Sequence, residues 1–125
     1  MALNIRTDER DAFAKTLYLT GRLDDTTAPD LDLELDEALE SPVKVLVFDL
    51  GELEYTSSAG LRAFMRAQKG MSQRAGKALF LNLQPPVQKV FDIAKVADFS
   101  AVFRNVKELD EYLDAMQKKV REEPQ

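Results

Sequence analysis

Apolar residues recur along the chain with two different periods, and the switches between them mark the elements. Leu3 and Ile5 alternate with polar neighbours, the signal of a short strand. Across residues 13–23 the apolar side chains Phe13, Leu17, Leu19 and Leu23 fall on odd positions, interrupted by Lys15, and most even positions are polar. That period of two predicts a strand with one covered face. Residues 21–29 have the composition of a turn. Residues 30–36 then alternate as a strand would, Asp-Leu-Asp-Leu-Glu-Leu-Asp. We nevertheless read a helix from Pro29 to about Glu40. Asp is poor in strands and favourable in a first helical turn, and Pro suits the first helical position. Leu31, Leu35, Ala38 and Leu39 supply the helical stripe, and Ser41-Pro42 ends it.

Residues 43–50 are nearly continuous β-branched and aliphatic positions, the mark of an interior strand in a mainly parallel sheet. A short loop is expected next, then a helix over 58–74. Its apolar stripe is Leu61, Phe64, Met65 and Met71, and its polar side Arg62, Arg66, Lys69 and Gln73. Gly76 breaks it, and 78–83 reads as another buried strand. Pro85-Pro86 opens a short helix carrying Val90, Phe91 and Ile93, and 101–103 reads as a last short strand. Leu109, Tyr112, Leu113, Met116 and Val120 mark a final amphipathic helix within a domain spanning 1–120, and 121–125 is expected to fray. Two strands and a helix, followed by repeated strand–helix units, predict a single α/β domain. Its sheet should be largely parallel, with right-handed crossovers.

Composition narrows the chemistry more than the fold. The 125 residues suit one domain, and 45% apolar residues suffice for a core. There is no cysteine and no histidine, which removes disulfides, thiolate ligands, thiol nucleophiles and the commonest general base together. The net charge of −5, with Lys and Arg scattered, disfavours nucleic acid as a partner. The first ten residues lack a signal-peptide core, and no run approaches the roughly 20 apolar residues of a membrane span. Cytoplasmic residence is the resulting expectation, with no metal and no cofactor. Glu52 and Glu54 lack a nucleophilic or metal-ligating companion and read as a solvated loop. Asp24-Asp25 reads as a turn former in place of a cation site. The acids of residues 30–40 read as a wet helix face, and Met65 and Met71 as core. Ser57 and Ser58 are both good N-caps for the helix that follows.

The segment Phe48-Asp49-Leu50-Gly51-Glu52-Leu53-Glu54-Tyr55-Thr56-Ser57-Ser58-Ala59-Gly60-Leu61-Arg62 resembles the signature of the STAS domain, the family of bacterial anti-sigma factor antagonists. A buried strand ending in Asp-Leu, a short loop, and a serine turn leading to Gly-Leu at a helix start are its parts. Leu19-Thr20-Gly21-Arg22-Leu23-Asp24 followed by Thr26-Thr27-Ala28-Pro29 is similar to the family's strand–turn–helix unit. Leu79-Phe80-Leu81-Asn82-Leu83, with Pro85-Pro86-Val87-Gln88-Lys89-Val90-Phe91, is similar to its fourth strand and third helix. The three stretches occur in the family's order over residues 3–113. The resemblance implies a STAS-type domain with a four- to five-stranded, mostly parallel mixed sheet and about four helices.

Matching Gly60-Leu61 places Ser58 on the family's phosphoacceptor serine, with Ser57 as the alternative acceptor. Ser57 stands where the family commonly has Asp. The resemblance implies a protein-binding module, not an enzyme. Its unphosphorylated form would bind an anti-sigma factor serine kinase of histidine-kinase-like ATPase fold and so release a sigma factor. Phosphorylation of Ser58 would break the complex, and a phosphatase acting on phosphoserine would restore it. The implied docking face comprises Leu23, Asp24, Asp25, Thr26 and Thr27 together with Ser57, Ala59, Gly60, Leu61 and Arg62, and the exposed side of the helix, which includes Arg66 and Lys69. The alternative within the family is a scaffold subunit of a lipid-transport or stress-sensing complex without a phospho-switch. A small enzyme built on carboxylates or a nucleotide site is a third reading. The absence of His, Cys and any G-x-x-x-x-G-K loop speaks against it.

Overall fold

The computed structural model describes residues 3–96 and 102–122. Five strands and four helices follow in the order β1 (Leu3–Glu9), β2 (Ala14–Leu23), α1 (Ala28–Glu40), β3 (Val45–Thr56), α2 (Ser58–Ser72), β4 (Lys77–Leu81), α3 (Pro85–Ala94), β5 (Val102–Phe103) and α4 (Val106–Glu122). The strands form one sheet in the order β1-β2-β3-β4-β5. β1 is antiparallel to β2, and every later pairing is parallel. The expected α/β architecture and its mostly parallel mixed sheet are therefore present. The strand expected at 101–103 is seen at Val102–Phe103, residue 101 lying outside the described residues. α4 runs to Glu122, two residues into the segment expected to fray, and residues 123–125 also lie outside.

The two faces of the sheet are covered unequally. Leu31, Leu35 and Ala38 of α1, Ala63, Phe64, Ala67 and Met71 of α2, and Val87 and Phe91 of α3 pack on one face. Leu109 and Leu113 of α4 pack on the other, against Val45, Val47, Leu79 and Leu81. Pro within the first two positions starts α1 and α3, as the sequence pattern predicts. Burial of Leu31 and Leu35, with Leu33 exposed, shows why the helix wins over the alternating pattern of residues 30–36. The tertiary core rewards a period of 3.6.

Four phenylalanines knit the larger core together. Phe48 of β3 and Phe80 of β4 stack with centroids 5.4 Å apart, and Phe64 of α2 meets them edge-on at 5.3 and 5.5 Å. Phe91 of α3 closes the group, 5.1 Å from Phe80 and 5.5 Å from Phe64. Each such pair contributes roughly 0.5–1.5 kcal/mol beyond its buried area.

Several local expectations are corrected. β2 is buried on both faces over its first four residues, Leu17 packing in the larger core and Ala14 in the cluster under α4. Phe13 precedes the strand and packs with Ala14 on the α4 side, not with Leu17. Residues 51–56, expected as a loop, continue β3. Between Tyr18 and Thr20 of β2 the partner strand advances from Asp49 to Glu52, and between Gly21 and Arg22 it advances from Leu53 to Tyr55. β3 thus carries an extra residue at each of two bulges, and opposite the second of them Gly21 of β2 has a φ of 107°, a backbone conformation that favours glycine. Glu52 and Glu54 are exposed strand residues. Met65 is 43% exposed and Ile93 73%, so neither belongs to the core stripe expected of it.

The bulges shift the alternation so that Thr56 faces inward beside Leu23, its register partner. The first turn of α2 then lies directly on this pair. A Cβ at residue 60 would fall 2.4 Å from Thr56 Oγ1 and 2.6 Å from Leu23 Cγ, so only glycine fits there.

Two measurements test this packing. Leu46, fully buried on β3, tolerates no charge: Leu46→Asp should cost several kcal/mol and lower Tm by about 10 °C or more, whereas a melt within two degrees of wild type contradicts the strand assignment. Gly60→Ala should cost about 1–3 kcal/mol by overpacking against Leu23 and Thr56, and the double variant Gly60→Ala/Thr56→Ser should recover none of it, since Ser keeps the oxygen that clashes.

Candidate functional site

Ser57 and Ser58 occupy different positions at the start of α2. Ser57 is the N-cap: its backbone is extended, and its Oγ accepts the Gly60 N–H at 3.4 Å. Its own N–H donates to the Leu23 carbonyl at 2.8 Å, which ties the helix start to the end of β2. Ser58 is the first helical residue and is exposed, with a hydroxyl that makes no hydrogen bond among the described residues. Of the two serines, the chain uses one to cap the helix and leaves the other to solvent.

The turn between β2 and α1 lies against this start. Asp24 organises it. Its Oδ1 accepts the Thr26 hydroxyl at 2.7 Å and the Thr26 and Thr27 amides at 3.0 and 3.2 Å. The Thr26 hydroxyl bond, helped by these amides, holds the Asp24 carboxyl below the ordinary carboxylate value against the opposing pull of desolvation. The buried Thr27 hydroxyl accepts the Asp24 N–H at 2.8 Å and donates to the Arg22 carbonyl at 3.0 Å. Asp24 and Asp25 thus belong to a turn, and no group of three or more metal-ligating side chains occurs among the described residues.

The expected docking residues separate into two sets. Asp25, Thr26, Ser58 and Arg62 are exposed, and Asp24, Ser57, Ala59 and Leu61 are half-buried. Leu23, Thr27 and Gly60 are corrected: all three are buried, and they carry the surface instead of forming it. Their sequence neighbourhood is right, but strand alternation and the close helix contact turn these three inward.

Between the first turns of α1 and α2 runs a groove of about 300 Å³, walled by Asp25 and Pro29 on one side and by Ala59, Arg62, Ala63 and Arg66 on the other. Arg66 spans it, bonding the Asp36 carboxylate at 3.0 Å and the Asp32 carboxylate at 3.1 Å. The expected solvent-facing role of Arg66 is therefore corrected to a bridge between helices. The pairs are half-exposed and contribute modestly to stability, but they fix the spacing of the helices. Pro29, Asp32 and Ala63 were not foreseen as groove residues. A helix pairing cannot be read from one sequence, although the acids of α1 and the arginines of α2 are complementary in sign. Arg22 stacks over Tyr55, 4.3 Å from the ring centroid, at the strand ends beside the site. No helix among the described residues is long and apolar enough to cross a membrane.

The chain's sequence and fold can be set beside known proteins. The STAS domain family matches residues 4–109. The anti-sigma-B factor antagonist of Listeria monocytogenes is 30% identical over 98 residues, covering 78% of this chain and 86% of that protein. BtrV of Bordetella bronchiseptica, named as a candidate anti-sigma factor antagonist, is 36% identical over 76 residues, covering 61% of this chain and 66% of that protein. Among solved structures, the anti-sigma factor antagonist SpoIIAA in its unphosphorylated form superposes with a TM-score of 0.79 over 90% of this chain and 97% of its own, at 17% identity, a likeness of fold. On the family match and the Listeria relative, the chain belongs to the STAS domain family.

Proposed function

We propose that this protein is an anti-sigma factor antagonist whose docking face is the α1–α2 groove and its rim, and whose switch is phosphorylation of Ser58. In the unphosphorylated form it binds an anti-sigma factor that is itself a serine kinase, and so releases a sigma factor. The kinase transfers the γ-phosphoryl group of ATP to the Ser58 oxygen, the hydroxyl proton and ADP leave, and the complex breaks. A phosphatase that removes the phosphate restores binding. The Listeria relative named an anti-sigma-B factor antagonist, and BtrV beside it, support the partner class.

The observation that carries the switch is the division between the two serines. A phosphoacceptor must be reachable, and Ser58 is exposed at the first position of α2 with its hydroxyl uncommitted, while Ser57 is engaged as the cap. Phosphate at a helix N-terminus is compatible with the fold, because the free amides and the helix dipole favour an anion there. It brings roughly −1.5 to −2 charges to a surface that a partner must desolvate. The switch therefore acts on the interface and leaves the domain folded. This chain contributes a hydroxyl and a surface, and the phosphoryl chemistry belongs to the partner.

Substitution at the two serines separates these roles. Ser58→Ala removes no cap and should melt within about a degree of wild type, bind the partner normally and resist phosphorylation. Ser58→Asp should fold equally well but lose affinity on the order of a hundredfold, because it buries an unpaired carboxylate against the partner. Ser57→Ala should cost about 1 kcal/mol of stability and leave Ser58 the phosphorylated residue. Titration calorimetry against the candidate anti-sigma factor, matched melts, and mass spectrometry of the phosphopeptide read all three. Equal affinity for Ser58→Ala and Ser58→Asp overturns the switch and favours the scaffold reading.

A further inference from the structure

The face of the sheet opposite α1 and α2 holds a second, independent feature. α4 covers its β3–β4 part and Ala14 at the start of β2 through Leu109 and Leu113, whereas β1 and the later half of β2 are left open on this face, with Asn4, Arg6, Asp8 and Thr20 exposed. Where covered and open parts meet lies a groove of about 340 Å³, within the size range of small-molecule sites. Cross-strand register sets its floor. Thr16 stands between Asp8 of β1 and Val47 of β3, and Tyr18 stands between Arg6 and Asp49. Leu81, Val106 and Leu109 make an apolar wall. Asp8, Glu9 and Asp49 supply three carboxylates against the single guanidinium of Arg10, which is already paired with Asp110 of α4.

Thr16 is what distinguishes this groove from an acidic surface. It is 8% exposed, it lines the groove, and its hydroxyl makes no hydrogen bond among the described residues although Asp8 is its cross-strand neighbour. No fully enclosed side-chain polar atom among the described residues lacks a partner, so this hydroxyl opens onto the groove. A nearly buried hydroxyl in that position needs its partner from whatever enters. Asp49, diagonal to Thr16 across the β2–β3 pairing, lines the same groove; one carboxylate oxygen accepts the Gly51 N–H at 3.0 Å, and the carboxylate keeps acceptor capacity for a cation. The opposite side of the groove is apolar. Arg6 already lies over the Tyr18 ring, 3.9 Å from its centroid, so the ring is not the recognition element.

We propose that this groove binds a small organic cation, a protonated amine on a short aliphatic chain. The ammonium, with three donors, bonds the Asp49 carboxylate and the Thr16 hydroxyl, and the chain lies along Leu81, Val106 and Leu109. Three carboxylates exclude phosphate and carboxylate ligands from the same place.

Titration of the full chain with 1,4-diaminobutane and with n-butylamine, followed by amide chemical shifts at constant ionic strength, tests the assignment. Saturable shifts confined to residues 8–10, 16–18, 49–51 and 106–109 are expected. Asp49→Asn retains the acceptor for Gly51 and should stay folded while weakening binding about tenfold, and the near-isosteric Thr16→Val should weaken it about threefold. Shifts that fail to saturate and spread over the acids of α1 overturn the proposal, as does unchanged affinity in either folded variant.

Discussion

The first turn of α2 sits so close to the ends of β2 and β3 that residue 60 has no room for a side chain, and this contact sets where the serine pair stands. It works together with the Ser57 N–H bond to the Leu23 carbonyl. Farther along the helix, Phe64 is locked among Phe48, Phe80 and Phe91, so α2 can neither rotate nor slide without breaking ring contacts. A helix fixed at both places delivers Ser57 to its own cap and Ser58 to solvent.

The same constraint explains why the turn before α1 matters although much of it is hidden. Leu23 supports Gly60 from below, and the Thr27 hydroxyl joins the Arg22 carbonyl to the Asp24 amide. Asp24 spends its Oδ1 on Thr26 and Thr27. These residues determine the height and angle of Asp25 and Thr26 beside α2. Arg66 then sets the separation of the two helices through Asp32 and Asp36. Residues that shape the surface and residues that form it alternate along the same short segment.

That alternation marks the boundary of what the sequence discloses. The helices, the parallel core strands and the serine turn were legible, because Leu31/Leu35, the apolar run at 43–50 and the Gly60-Leu61 pair are each local patterns. The continuation of β3 was not. Its two bulges break the period of two between Leu50 and Thr56, and a broken period with Gly51 and two glutamates reads as a loop. The roles of Ser57 and Ser58 were equally open, since both are good caps and only backbone geometry decides between them. Nor could the pairing of Arg66 with Asp32 and Asp36 be read, because it depends on two helices meeting across the sheet.

β3 also connects the two faces of the molecule. Asp49 borders the groove beside α4, its carboxylate holds the Gly51 amide, and Gln84 at the start of α3 donates to the Gly51 carbonyl at 2.8 Å. Five residues on, the same strand ends in Tyr55 and in Thr56 beneath Gly60. Proximity along a strand is not coupling. Energy passes between two sites when an element between them has two arrangements that each ligand biases differently. Here the intervening segment is paired to β2 and pinned by Asp49 and Gln84 around the bulge, with Leu50 and Leu53 fully buried. With the segment pinned in this way, no second arrangement is offered for the proposed ligand beside α4 and the proposed partner at α2 to bias differently, so the two proposals predict independent binding from opposite sides of the sheet.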